Sequence, residues 1–158
     1  MVVYPLLLEA GLITEQDIEE FRRPGGRLTM FPHKGIPGVI ASCGSLGNGL
    51  GYACGLAMAD SGPITCIISE GELYEGATWE ALMFARHYNL DNLRIIINKN
   101  DGIILGDPED CLSIPWFALN TFPNVKVIQT VKGKGVPAWE GKASSHYWSR
   151  PYERPHAA

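Results

Sequence analysis

A chain of 158 residues with 46% hydrophobic and 19% charged side chains is long enough to bury a core and too apolar for disorder, so a single globular domain over residues 1–158 is the simplest expectation. A formal net charge of −4, with no basic stripe and no apolar run near 20 residues, leaves no basis for a nucleic-acid or membrane partner. The opening MVVYPLLLEAGLITEQ lacks the basic region of a secretory signal, which makes the cytoplasm the expected compartment.

In chain order, PLLLEAGL and TEQDIEEFRR predict two short helices. Pro5 opens the first, Gly11 closes it, and Thr14 with Asp17 fits a capping box for the second. From about Leu46 the glycine-rich segment GSLGNGLGYACGLAMAD predicts a helix whose small face permits close backbone approach, packed hard against a neighbour. After a turn at Asp60 to Pro63, Ile64 to Ile68 has the length and β-branching of a buried strand. Tyr74 to Tyr88 predicts a helix, with Trp79, Leu82, Met83 and Arg86 at helical spacing, and Arg94 to Asn98 a second buried strand. Strand, helix and strand of this size make a right-handed parallel βαβ unit. Val125 to Thr130 is a third strand, and a tail from about residue 136 reads as irregular. Cys43, Cys54, Cys66 and Cys111 have no CxxC spacing and read as reduced, mostly buried thiols.

The stretch ISEGELYEGATWEA gathers Glu70, Glu72, Glu75 and Glu80 where the first buried strand ends. Neighbouring parallel strands end about 4.8 Å apart, on the edge where open α/β sheets bind ligands, so Glu70 and Asn100 fall on one edge. A carboxylate and an amide oxygen there suit a hard cation carrying phosphate oxygens. Spacing alone equally allows the glutamates to serve a helix N-terminus and KNDG to be an ordinary turn.

Three segments, GVIASCGSLGNGLGYACGLAMA, EGELYEGATWEALMFARHYNLDNLRIIINKND and TVKGKG, resemble in order the diphosphate-binding domain of transketolases. These are thiamine-diphosphate enzymes that move two-carbon ketol units. The resemblance implies the thiamin diphosphate-binding fold, a three-layer α/β/α arrangement with a mostly parallel sheet, here reduced in size. It implies thiamine diphosphate held through Mg²⁺ or Ca²⁺, with Glu70, Asn100 and the Gly102 carbonyl as metal ligands. Gly44, Leu46, Gly71, Glu72 and Asn100 fall at its cofactor-binding positions, and His33 and His146 match histidines near the reacting centre. Glu75 matches a glutamate of the family's subunit interface.

Three departures from the family pattern set further expectations. Glu70 stands where the family has Asp, with Ser69 before it; the extra methylene adds about 1.5 Å of reach, whereas metal–oxygen distances tolerate about 0.2 Å. The interval from Asn100 to Thr130 is short, which predicts a smaller sheet. The family's Lys-Gly-His segment and its pyrimidine-binding domain, with the glutamate that activates the cofactor, have no counterpart here. The expected protein is therefore the diphosphate-binding subunit of a split transketolase-like enzyme, inactive alone. It would act on a sugar or sugar phosphate with a pyrimidine-binding subunit, as a dimer of heterodimers. The alternative is a degenerate relative serving in interaction or as a scaffold. A Rossmann-type nucleotide binder fits less well, because the glycine-rich segment follows no clear strand and lacks G-x-G-x-x-G spacing. The small-residue helix and the aromatic tail (Trp139, Tyr147, Trp148, Tyr152) predict an interface.

Overall fold

A computed structural model describes residues 3–59 and 62–146, so Asp60, Ser61, Tyr147, Trp148 and Tyr152 lie outside the described residues. These residues gather into two compact units that meet in sequence between Ser45 and Leu46.

The first unit holds α1 (Val3–Glu9) and α2 (Glu15–Glu19), followed by turns and irregular chain. Tyr4, Leu7, Ile13, Leu28 and Ile36 form its core, and the Tyr4 hydroxyl donates to the Thr29 carbonyl at 2.7 Å. Thr14 caps α2 in the expected capping box. The helix stops before FRR because Arg22 takes a left-handed φ of 60° and its N–H donates to the Leu28 carbonyl.

The second unit is built on three strands, β1 (Ile64–Ser69), β2 (Leu93–Lys99) and β3 (Val125–Gln129), in that spatial order and parallel throughout. Its register sets Ser69 opposite Asn98 and Lys99 opposite Gln129, so β1 and β2 deliver Glu70 and Asn100 to the same edge. Two longer helices accompany the strands: α3 (Asn48–Met58) precedes β1, and α4 (Gly76–His87) runs between β1 and β2. Cys66, Ile68, Leu93, Ile95 and Ile97 are buried in one core with Leu50, Ala53, Cys54 and Ala57 of α3 and Ala81 and Leu82 of α4. The alternation is a period-2 pattern: Thr65, Ile67 and Arg94, at the intervening positions, are exposed. The helices α3 and α4 thus pack on the same face of the sheet.

Besides 3-10 turns at Glu70–Tyr74 and Ala143–His146, the single-turn helices α5 (Pro108–Cys111) and α6 (Trp116–Leu119) go beyond what the sequence predicts and fill the short crossover from β2 to β3. The Asp107 cap followed by Pro108 is a readable start signal, but four residues are too few for a hydrophobic period. Two expectations need correction. The helix α3 packs through Leu50, Ala53, Cys54 and Ala57, whereas Gly49, Gly51 and Gly55 face open space. All four cysteines are free, but only Cys54 and Cys66 are buried; Cys43 and Cys111 are exposed. Burial pushes the Cys66 thiol up to about 12, with the Glu72 carboxylate adding to the shift. Among the described residues no helix is long and apolar enough to cross a membrane.

Candidate functional site at the carboxyl edge of the sheet

Of the four glutamates, Glu75 is the N-cap residue of α4 without a side-chain cap bond and Glu80 lies within that helix, while Glu70 and Glu72 precede it. Glu70 to Tyr74 form one 3-10 turn between β1 and α4. Glu72 folds back on that turn, its carboxylate accepting the Ser69 N–H at 2.9 Å and the Ser69 hydroxyl at 3.2 Å. Two side chains fasten the turn from outside, and Tyr74 within it ties it to the crossover after β2. The Thr78 hydroxyl donates to the Glu72 carbonyl at 2.6 Å, the Trp79 indole to the Leu73 carbonyl at 2.8 Å, and the Tyr74 hydroxyl reaches the Pro108 and Leu112 carbonyls across the chain. Trp79 thereby acts as a brace for the site loop.

Held by this turn, Glu70 is 2% exposed. Its Oε1 accepts two backbone N–H groups of the loop after β2, from Asn100 and from Gly102, each at 3.0 Å. The longer side chain thus spans the gap between neighbouring strand ends and ties down the next loop. Its other oxygen, Oε2, is buried without a hydrogen-bond partner, and so is the Asn100 side-chain oxygen Oδ1. Two buried acceptors left unpaired are costly, each by about 1–3 kcal/mol, unless a proton or cation meets them. A hard divalent ion with oxygen preference fits this pair. Among the described residues no cluster of three or more His, Cys, Asp or Glu could hold a metal, so any ion here relies on amide and carbonyl oxygen beside one carboxylate.

The Gly102 carbonyl, the third expected ligand, is engaged: the Lys132 ammonium donates to it at 2.7 Å. Lys132 also lies 3.3 Å from His146 Nδ1. Burial lowers the Lys132 pKa while the Glu70 charge opposes that shift, and burial with the Lys132 charge lowers that of His146. No role for Lys132 follows from the sequence, although the TVKGKG segment contains it. The pattern marks a turn, and only the fold shows that this lysine, from beyond β3, returns to the loop after β2.

The remaining candidates have distinct settings. Gly71 has room, since an added Cβ would make only ordinary contacts with Ile103 and Ser69. Leu46 is 50% exposed. Two glycines of GSLGNG take positive φ, Gly44 and Gly47; Gly47 caps α3 at φ 81°, and a Cβ there would lie 2.8 Å from the Glu75 Cβ. In the first unit, Gly44 takes φ 146° at an exposed position, and His33 is half-buried with its Nδ1 accepting the Gly35 N–H at 3.1 Å.

No family model matches the chain. Human transketolase-like protein 2 is 31% identical over 97% of the chain, in an alignment of 189 residues that exceeds the chain's own 158, so the relative carries stretches absent here. The chain spans 30% of that relative's length. One of the subunits of the apulose-4-phosphate transketolase from Actinobacillus succinogenes is 33% identical over 91% of this chain and 65% of its own. A transketolase structure from Campylobacter jejuni superposes with a TM-score of 0.73 over 84% of this chain and 27% of that one, at 24% identity, which is a likeness of fold.

Proposed function

The chain is a homologue of the transketolases across most of its length, and on that footing we propose that it is the diphosphate-binding subunit of a split transketolase-like enzyme. The observation that carries the reading is the pair of buried, unpartnered oxygens, Glu70 Oε2 and Asn100 Oδ1, at the carboxyl edge of a parallel sheet. They would hold Mg²⁺ or Ca²⁺, with the Gly102 carbonyl as the third protein oxygen. Glu70 keeps the loop in place with Oε1 and offers Oε2 alone, so it would serve as a one-oxygen ligand. Thiamine diphosphate, when bound, supplies an electron sink for cleaving the bond beside a ketose carbonyl. The Lys132 ammonium, beside the Gly102 carbonyl, would put positive charge near a bound diphosphate, and the neutral form of His146, favoured by its surroundings, could share a proton at a ring nitrogen. Gly44, Leu46, Gly71 and Glu72 would contribute to the cofactor's binding surface, and His33 would face substrate oxygens.

The name of the Actinobacillus relative describes one chain of a multi-chain enzyme that handles a sugar phosphate, which supports a second chain and a phosphorylated sugar here as well. That partner would bring the pyrimidine-binding domain. A second reading, a scaffold with no cofactor, draws on one observation: the Gly102 carbonyl is already taken by Lys132. Calorimetric titration of the reconstituted complex with thiamine diphosphate, with and without Mg²⁺, separates the two. We expect metal-dependent binding that weakens at least about tenfold in Asn100→Ala, as loss of a metal-site group does. Unchanged affinity in that variant sinks the clamp, and no binding by any complex leaves the scaffold reading.

A further inference from the structure

We infer that His33 is held as a one-way hydrogen-bond donor and that Gly35 is the residue that holds it. The imidazole Nδ1 accepts the Gly35 backbone N–H at 3.1 Å, which uses its lone pair. A neutral imidazole has one N–H, so the proton resides on Nε2. No hydrogen bond occupies Nε2 among the described residues, and the side chain is only half-buried. The turn beneath it is pinned on both sides: Ile36 N–H donates to the His33 carbonyl at 3.0 Å, Cys43 N–H to the Pro32 carbonyl at 2.8 Å, and Lys34 N–H to the Ser42 hydroxyl at 3.2 Å.

The ring therefore meets a ligand with Nε2–H and nothing else. It can donate to a carbonyl or hydroxyl oxygen, and accepting a proton requires breaking the bond to Gly35. His33 is thus fitted to grip or polarise a sugar oxygen and unfitted to act as a general base. Glycine is needed at position 35 because a Cβ there would lie 2.9 Å from His33 Cε1 and 3.0 Å from Nδ1. The atoms in the way belong to the end of a rotatable side chain, so Gly35→Ala should swing the ring aside and leave the chain folded.

That His33 meets a sugar rests on the function proposed above; its fixed tautomer does not. The test is nuclear magnetic resonance on the ¹⁵N-labelled full chain. A scalar coupling through the N–H···N bond between Gly35 N and His33 Nδ1 is expected, with the proton of neutral His33 on Nε2. In Gly35→Ala the coupling should vanish while the other amide signals stay in place. In His33→Gln the Gly35 amide should exchange with solvent about tenfold faster, as an unprotected amide does. Absence of the coupling in the unmodified chain, or its survival in Gly35→Ala, overturns the inference. A coupling that behaves as expected supports it. If the reconstituted enzyme then turns over equally well with Gly35→Ala and His33→Gln, the substrate role of His33 fails while the fixed tautomer stands.

Discussion

Asp17 in the first turn of α2 and Glu70 beyond β1 are both carboxylates at the start of a helical turn, and the molecule treats them oppositely. Asp17 is satisfied on every side: it accepts the Thr14 N–H and hydroxyl, each at 2.7 Å, and pairs with Arg27. Those contacts, the Thr14 bonds foremost, lower its pKa to about 2. Glu70 is buried, has two donors on one oxygen and none on the other, and shares its strand-end edge with a second orphaned oxygen on Asn100. The first arrangement is complete within the chain. The second leaves two buried acceptors unpaired, which the proposed ion would relieve, and that difference separates the two carboxylates better than the presence of acid does.

The sharpest way to break this contrast is Glu70→Ala, which strips the Asn100 and Gly102 N–H groups of their acceptor. Unfolding in denaturant should show a loss of about 3 kcal/mol, from two buried donors left unpaired. A loss under about 0.5 kcal/mol, the range of ordinary surface changes, would mean that the loop does not depend on this carboxylate.

Glu70→Gln asks the opposite question. The amide keeps an oxygen for the two N–H groups and puts an NH₂ donor where the unpaired Oε2 stood, removing the buried charge. We expect the metal-free chain to gain about 2–4 °C in Tm, the shift that about 1 kcal/mol makes at this size, and to lose any stabilisation by Mg²⁺. A fall in Tm would show that Oε2 already has company in solution.

At Asp17 the effects are smaller. Thr14→Ala should cost about 1 kcal/mol, as loss of a cap usually does. The sign of the acid response follows from the lowered pKa. The stabilisation from ionised Asp17 is present above its ordinary value of 3.8 and drains as pH falls toward about 2. Acid titration of Asp17→Asn should therefore lack that part of the decline between about pH 4 and 2. An identical profile in both proteins would mean that the cap is already frayed.

Much of this is legible in the chain. The three strands and α4 announce themselves because β-branched runs and apolar periodicity are local, and the Thr14–Asp17 capping box spans only four positions. Sharing of one sheet edge by Glu70 and Asn100 is also within reach, because parallel strands with a helix between them leave few choices. The turn that carries Glu70 is harder, since GELYEG fits the front of α4 and a 3-10 turn equally well by composition. Exposure of Cys43 and the open face of α3 escape such reading too, because burial depends on what else arrives nearby.

By itself the sequence determined the kind of architecture, the order of its elements and the sheet edge that Glu70 and Asn100 share, all of which follow from short-range pattern and chain topology. Only the tertiary structure decided how one glutamate divides its two oxygens, that Lys132 returns to the Gly102 carbonyl, and that Gly35 fixes the proton of His33. Those are matters of hydrogen-bond partnership at about 3 Å. Partnership at that range is set by where the folded backbone brings each group, and residues 30 positions apart, such as Gly102 and Lys132, carry no local sign of meeting.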